Sequence, residues 1–148
     1  MRITLTAEDK KKKINNPQKV ADIMSKILEA EDKIDRDKEH FWVIELNVKN
    51  IIKNIELVSL GTLNSGLAEP REVFRRAVTD GAATIILCHN HPSGNAEPSD
   101  ADLVTTKKLV KAGEILNINV QDHIIIGTSG EYCSWGNSEY IRQCGRIV

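Results

Sequence analysis

Two histidines and an aspartate in the second half of the chain have the types and the spacing of metal ligands. His89 and His91 flank a single asparagine, and Asp102 follows His91 after ten intervening residues. Neutral imidazoles and a carboxylate suit a divalent ion such as Zn²⁺, and three protein ligands leave a fourth tetrahedral position open, as in catalytic zinc sites. The spacing alone leaves an alternative open, in which the histidines are merely hydrogen-bonded at a strand end and the aspartate only caps a helix.

The two histidines follow a segment that is typical of a central strand. Residues 83–88 (ATIILC) are continuously apolar, as expected for a short strand that is buried on both faces. Alternate strand residues share a face, so His89 and His91 are predicted to project together if the strand geometry continues through His91. The same alternation predicts that Cys88 packs on the opposite face.

A helix downstream would bring the aspartate back towards the histidines. Residues 92–94 (PSG) favour a turn directly after His91. Ser99 and Asp102 then have the spacing of the N-cap and N3 positions of a capping box, with Asp in place of the usual Glu. The helix is predicted to continue to about residue 116.

The other periodic segments predict an α/β domain with a mixed sheet. Two further helices are expected, one opening at Asn16-Pro17 and one over residues 70–80 that ends at Gly81. Their predicted apolar sides are Val20, Ile23, Met24, Ile27 and Leu28 in the first, and Val73, Phe74, Ala77 and Val78 in the second. Four more strands are predicted, at residues 39–46, 51–60, 120–127 and 132–135, and the first two could form a hairpin.

The composition limits the classes of protein. The 148 residues are 41% hydrophobic and 28% charged, enough for one sizeable core. Lys and Arg number 20 against 21 for Asp and Glu, so the net charge of -1 gives no support for a general polyanion binder. No segment has the ~20 apolar residues of a membrane helix, and the polar residues 1–15 are expected to be a loose arm rather than a secretory signal. Three cysteines without CxxC spacing favour a reducing, cytoplasmic location.

The motif around the histidines resembles that of a known enzyme superfamily. His89-x-His91 followed by Ser99-x-x-Asp102 resembles the JAMM motif of the JAB/MPN metalloproteases. The longer string HNHPSGNAEPSDAD resembles the RadC branch of that superfamily. So do the segments DHIIIG at 122–127, PRE at 70–72 and GTL at 61–63. The similarity extends over about residues 17–135.

The resemblance implies a fold and a set of site residues. It implies a single JAB/MPN domain of the cytidine-deaminase-like α/β class over residues 16–148, with a mixed β-sheet flanked by helices. Zn²⁺ would be held by His89, His91 and Asp102. Two further residues match catalytic positions of the superfamily: Glu39 as the base that deprotonates the water, and Ser99 as a donor to the oxyanion.

Two residues on predicted strands leave their assignment open. Glu45 shares a strand face with Glu39 by parity and is its rival for the role of base. His123 is interpreted as a structural histidine, and a contact behind the metal ligands is the alternative.

Three functions compete at this point. The first is a zinc-dependent hydrolase that cleaves a peptide or isopeptide bond in a peptide or protein substrate. The second is a non-catalytic protein-binding module, and the third is a DNA repair or recombination factor, the role attached to the RadC name. Many RadC proteins carry a helix-hairpin-helix region that these residues do not contain, so nucleic-acid binding is expected to be weak or absent. A zinc nucleobase deaminase is excluded, because it needs a Cys-x-x-Cys pair.

Overall fold

One mixed β-sheet runs through the part of the chain that the computed structural model describes, residues 1–6, 9–61 and 68–135. Its strand order is β1-β3-β2-β4-β5-β6. All neighbours are antiparallel except β4 and β5, which are parallel. The strands are β1 (Arg2–Ile3), β2 (Glu39–Leu46), β3 (Ile52–Gly61), β4 (Thr84–Asn90), β5 (Asn119–Ile126) and β6 (Tyr132–Ser134). The predicted mixed α/β architecture and the β2–β3 hairpin are confirmed.

Four α-helices accompany the sheet within these residues: α1 (Pro17–Glu29), α2 (Lys33–Arg36), α3 (Pro70–Asp80) and α4 (Asp100–Leu116). The side chain of Asn16 caps α1 by accepting a hydrogen bond from the backbone N–H of Lys19. Gly81 ends α3 in the left-handed conformation, at φ 67°. The three predicted helices are confirmed; α2 is additional, and it is too short for an apolar periodicity to reveal it.

The helices cover both faces of the sheet and divide the core in two. On one face, α1 buries Met24 against Trp42 of the central sheet. On the other face, α3 and α4 bury Phe74 and Leu109 against the apolar side chains of β4 and β5. Burying a side chain of this size stabilises the fold by ~1.5–3 kcal/mol. None of the helices in the described ranges has the length and apolarity to cross a bilayer.

The N-terminal residues are not the loose arm that their polar composition suggested. β1 pairs with the outer edge of β3, where Ile3 lies opposite Ile55. Leu5 and Ile14 are buried in the same apolar cluster as α1. The expectation was wrong because a few apolar residues within a polar segment suffice to cover an open sheet edge. The domain boundary at residue 16 stays a prediction.

One residue of the predicted core of α3 is also exposed. Val73, Phe74 and Ala77 are buried, but Val78 is 56% exposed. Val78 lies four residues after Phe74, about 40° further around the helix. The buried stripe of α3 is therefore narrower than the apolar pattern indicated.

Gly113 allows α4 to pack closely against the turn that leads into β5. A Cβ atom at this position would lie 2.4 Å from the carbonyl oxygen of Ile118 and 3.3 Å from the ring of Phe74. Gly113→Ala should therefore lower the free energy of unfolding by ~1–3 kcal/mol through overpacking. The overpacking cost outweighs the ~1 kcal/mol by which alanine is favoured over glycine in a helix interior.

Urea unfolding would measure this effect, with Lys111→Ala on the exposed side of α4 as the control. The control should change the free energy of unfolding by less than about 0.5 kcal/mol. A Gly113→Ala variant that is more stable than the parent would contradict the close packing described here.

Candidate metal centre

Four side chains meet where β2 begins and β4 ends. Glu39 is the first residue of β2, His89 lies near the end of β4, His91 follows that strand, and Asp102 is in the first turn of α4. One candidate ligand atom from each of the four lies within 4.8 Å of the others. The predicted trio of His89, His91 and Asp102 is thus brought together, and Glu39 is beside it.

Three of the four side chains are in direct contact. The Nε2 atoms of His89 and His91 are 2.9 Å apart. His91 Nε2 lies 3.0 Å from Asp102 Oδ2, and His89 Nε2 lies 3.3 Å from Asp102 Oδ1. Ligands about 2.0–2.1 Å from a tetrahedral zinc ion are roughly 3.3 Å from one another, so the spacing and chemistry of this trio fit a tetrahedral divalent ion.

The imidazole of His91 is oriented by the main chain. Its Nδ1 lies 2.8 Å from the carbonyl oxygen of Asn95, which can only accept a hydrogen bond. His91 therefore donates from Nδ1 and turns Nε2 towards Asp102. Burial lowers the pKa of His91, but the hydrogen bonds with Asp102 and Asn95 outweigh burial and raise it. The cluster therefore favours a positive charge between its ligand atoms, which either a proton or a metal ion can supply.

Asp102 is held by the capping box that the sequence predicted. The Oγ of Ser99 accepts a hydrogen bond from the backbone N–H of Asp102 at 3.1 Å. In return, Asp102 Oδ2 accepts from the backbone N–H of Ser99 at 2.9 Å. Burial raises the pKa of Asp102, but its bonds with His89, His91 and the Ser99 N–H lower it far below the usual range. Asp102 is therefore a carboxylate, oriented by the N-terminus of its own helix.

Glu39 is half-buried beside the trio and differs from Asp102 in its electrostatics. Burial raises its pKa and the neighbouring Asp102 raises it further, while His89 and His91 act in the opposite direction. Glu39 also lines a small cavity of about 30 Å³ together with Phe41, His89 and Asp102. That volume has room for about two water-sized groups next to the carboxylate.

The side chain of Asn90 fixes the backbone on both sides of Glu39. Its Oδ1 accepts from the backbone N–H of His40 at 2.6 Å. Its Nδ2 donates to the carbonyl oxygen of Lys38 at 3.0 Å. The β2–β4 ladder reaches the pair Phe41 and His89, and the amide of Asn90 extends it by one step. An amide suits this position because it offers a donor and an acceptor side by side.

Glu45 does not reach the candidate centre. It pairs with Ile85, four residues before His89, whereas Phe41 pairs with His89 itself. At about 3.3 Å per residue, this places Glu45 roughly 13 Å along the sheet from the histidines. Glu45 is buried, and its Oε2 accepts a hydrogen bond from Asn54 Nδ2 at 2.7 Å. Parity made it a rival of Glu39, but distance along the strand separates the two.

His123 lies directly behind a candidate ligand. Its Nε2 is 2.7 Å from His89 Nδ1, and its Nδ1 is 2.7 Å from the hydroxyl oxygen of Thr106. The contact behind a metal ligand, which was the alternative, is therefore present. The ring is also buried with both nitrogens hydrogen-bonded, as expected of a structural histidine. Cys88 points to the other face and is buried against α1, as predicted.

Sequence reasoning missed the roles of Asn90 and Thr106 in this arrangement. A weak signal existed for each. Asn90 stands between the two histidines, and Thr106 lies one helical turn after Asp102. Neither signal identifies the groups that these side chains hydrogen-bond across the fold, because those groups belong to β2 and β5.

Comparison with known protein families finds one whose model matches most of the chain. The model of a family described as the RadC-like JAB domain matches residues 14–140. The chain belongs to the RadC-like JAB domain family. The Thr62-Leu63 part of the motif and Cys144 lie outside the described residues.

Several curated relatives carry the name UPF0758 protein. The one from Desulforamulus reducens is 53% identical over 100 residues, which are 68% of this chain and 44% of that protein. The one from Caldanaerobacter subterraneus subsp. tengcongensis is 44% identical over 126 residues, 85% of this chain and 52% of that protein. The one from Methanosarcina mazei is 38% identical over 141 residues, 95% of this chain and 59% of that protein. The chain spans about half the length of the curated relatives it matches.

The contacts of Asn90 lead to a prediction about stability. In Asn90→Asp the carboxylate can still accept from the His40 N–H, but it cannot donate to the Lys38 carbonyl. The Lys38 carbonyl keeps its contact with His40 Nδ1 at 2.9 Å, but a carboxylate oxygen would now face it where the amide N–H donated. The lost hydrogen bond and the repulsion between the two oxygens should lower the free energy of unfolding by ~1–3 kcal/mol, and the His40 amide should exchange its hydrogen faster. Urea unfolding and hydrogen exchange measure the two effects.

Asn95→Asp is the matched control for this substitution. The exposed Asn95 side chain only accepts, from the backbone N–H of Glu97 at 2.9 Å, and a carboxylate can do the same. The control should therefore stay close to the parent. Equal stability and equal exchange in the Asn90→Asp variant would show that the amide does not hold β2 in place.

Proposed function

We propose that this chain is a zinc-dependent hydrolase of the JAMM type that cleaves a peptide or isopeptide bond. One observation carries the proposal. A trio of ligand atoms suited to a metal ion stands next to a half-buried carboxylate, Glu39, which lines a small cavity together with two members of the trio, His89 and Asp102. A site that only binds metal needs the trio, whereas a site that activates water also needs a base within reach.

The first part of the proposal is the metal. His89, His91 and Asp102 would hold Zn²⁺, because their ligand atoms already have the mutual distances of tetrahedral ligands. When bound, such an ion lowers the pKa of a coordinated water towards ~7 and polarises a carbonyl group.

The second part of the proposal assigns catalytic roles to Glu39 and Ser99. Glu39 takes a proton from the attacking water and returns it to the leaving amine, and its raised pKa brings it closer to the range in which it can do both. The Oγ of Ser99 accepts from Asp102, and this bond does not use its hydroxyl hydrogen. That hydrogen is available to stabilise a developing oxyanion, a role whose removal typically costs ~10²–10³ in rate.

The competing functions receive less support from the same residues. A module that only binds other proteins does not need a cavity large enough for water beside three metal ligands. A DNA-binding role would be expected to show a basic surface, and the net charge of the chain is -1.

Metal content is the first test of the proposal. The zinc-loaded chain should contain about one zinc ion per molecule, measured by elemental analysis after removal of loosely bound metal. Replacing both His89 and His91 with alanine should abolish the binding, because two of the three ligands are lost. A folded parent protein that binds no stoichiometric zinc would overturn the proposal.

The second test separates the ligands from the base. Glu39→Gln should keep its zinc and lose most of the hydrolysis of a peptide and isopeptide panel, because an amide cannot accept the proton. Asp102→Asn should instead weaken zinc binding, since it removes the anionic ligand. Zinc affinity and turnover are measured on the same samples.

Glu45→Gln is the control on the same strand. It makes the same chemical change about 13 Å away from the histidines, so zinc binding and hydrolysis should both stay near the parent values. Full activity in Glu39→Gln would overturn its role as the base, and loss of zinc from that variant would make Glu39 a fourth ligand instead.

A further inference from the structure

We propose that Thr106 and His123 form a relay that fixes the tautomer and the ring orientation of His89, so that its Nε2 faces the metal site with a free lone pair. The proposal rests on the metal site proposed above and assigns a positioning role to two residues outside it. The relay begins and ends at candidate ligands, because Thr106 contacts the main chain of Asp102.

The first step is the hydrogen bond between Thr106 and Asp102. The Oγ1 of Thr106 lies 2.7 Å from the carbonyl oxygen of Asp102, one turn earlier in α4. Two oxygen atoms at this distance need a hydrogen between them, and the carbonyl has none to give. The single hydroxyl hydrogen of Thr106 is therefore committed to Asp102.

The second step follows from that commitment. The same Oγ1 lies 2.7 Å from Nδ1 of His123. Because the hydroxyl hydrogen is already used, Thr106 can only accept here, and His123 must carry a hydrogen on Nδ1. In a neutral imidazole the other nitrogen, Nε2, is then an acceptor.

The surroundings of His123 favour the neutral ring. Its side chain is fully buried, and its ring stacks on Trp135 with the centroids 4.9 Å apart. The partners of its two nitrogens are a hydroxyl and an imidazole, so neither hydrogen bond offers an anion to balance an imidazolium. A buried charge without such a partner is costly.

The third step sets the tautomer of His89. His123 Nε2 lies 2.7 Å from His89 Nδ1 and needs a donor, so His89 carries its hydrogen on Nδ1. The Nε2 of His89 is left with a lone pair, and this atom is the one that lies 3.3 Å from Asp102 Oδ1. The ring is further held by Phe41, which stacks on it with an interplanar angle of 7°.

The relay acts on one of the two histidines only. The ring of His91 is oriented by the main-chain carbonyl of Asn95, which no side-chain substitution removes. The orientation and tautomer of His89 depend instead on the side chain of His123, and those of His123 depend on Thr106. Loss of a side chain that hydrogen-bonds a metal-binding histidine from behind typically weakens metal binding 10–100-fold.

Two substitutions at residue 123 separate the hydrogen bond from the packing. His123→Gln places an acceptor near the position of Nε2 and can still bond His89. His123→Asn places its amide near the position of Nδ1, so it can bond Thr106 but leaves His89 without its partner. Zinc affinity, measured by competition with a chromophoric chelator, should fall 10–100-fold in His123→Asn, and by less than about threefold in His123→Gln.

A second pair tests the start of the relay with smaller changes. Thr106→Val removes the hydroxyl at nearly constant volume, and Thr106→Ser keeps it. The valine variant should lose about tenfold in zinc affinity, and the serine variant should stay near the parent. The visible absorption of the cobalt-loaded proteins should change in Thr106→Val and His123→Asn alone, because the orientation of His89 is altered only there.

The tautomers themselves can be read without metal. In the metal-free protein, ¹⁵N NMR of the histidine side chains should show His123 and His89 both protonated at Nδ1. Protonation of His123 at Nε2 alone would overturn the relay, and so would equal zinc affinities within each pair of variants. Because the NMR measurement needs no zinc, it tests the relay even if the parent binds no metal and the proposed hydrolase fails.

Discussion

Three atoms that carry lone pairs lie about 3 Å apart, although they repel one another. The rest of the structure depends on the need to hold them in these positions. The Nε2 atoms of His89 and His91 and the carboxylate of Asp102 are separated by 2.9–3.3 Å. Without a cation or a proton between them they repel one another. Each is therefore held from behind by a separate hydrogen bond: Asp102 by the capping box, His91 by a main-chain carbonyl and His89 by His123.

The sheet supplies the rigidity that such an arrangement needs. β4 lies in the middle of the sheet, antiparallel to β2 and parallel to β5, so the end that carries the histidines is held on both sides. β2 delivers Glu39 from one side, and β5 delivers His123 from the other. The turn after β4 and the start of α4 then return Asp102 to the same end. Side chains on regular elements hold their geometry more precisely than side chains on free loops.

The contrast between Glu39 and Asp102 shows how position divides two carboxylates between different tasks. Asp102 sits at a helix N-terminus and accepts a backbone N–H, which keeps it ionised. Glu39 starts a strand, is half-buried, and has a raised pKa. An ionised ligand and a carboxyl group that exchanges a proton are the two roles that the proposed hydrolysis requires. Asn90 connects Glu39 with the histidines, because it stands between His89 and His91 in the chain and holds the backbone around Glu39.

Much of the fold could be predicted from local patterns in the amino-acid sequence. The bounds of β2 and the start of α4 at its Ser99 cap follow from hydrophobic alternation and capping chemistry, which act over a few residues. The trio of His89, His91 and Asp102 could also be proposed, since its members lie within one strand, turn and helix start. Local patterns failed where a segment depends on distant neighbours: β1 needs the open edge of β3, and Val78 is exposed because α3 packs on a narrow stripe.

The amino-acid sequence by itself determined which residues could bind a metal, because ligand chemistry and close spacing are local properties. Tertiary structure decided which other residues stand with them. Parity along β2 left Glu39 and Glu45 equivalent, and only the register with β4 placed one beside the histidines and the other near Ile85. The contact from His123 to His89 likewise depends on the parallel alignment of β4 and β5, and that from Thr106 on the packing of α4 over β5. Register and packing join residues tens of positions apart, and they are set by the burial of whole faces rather than by any short motif.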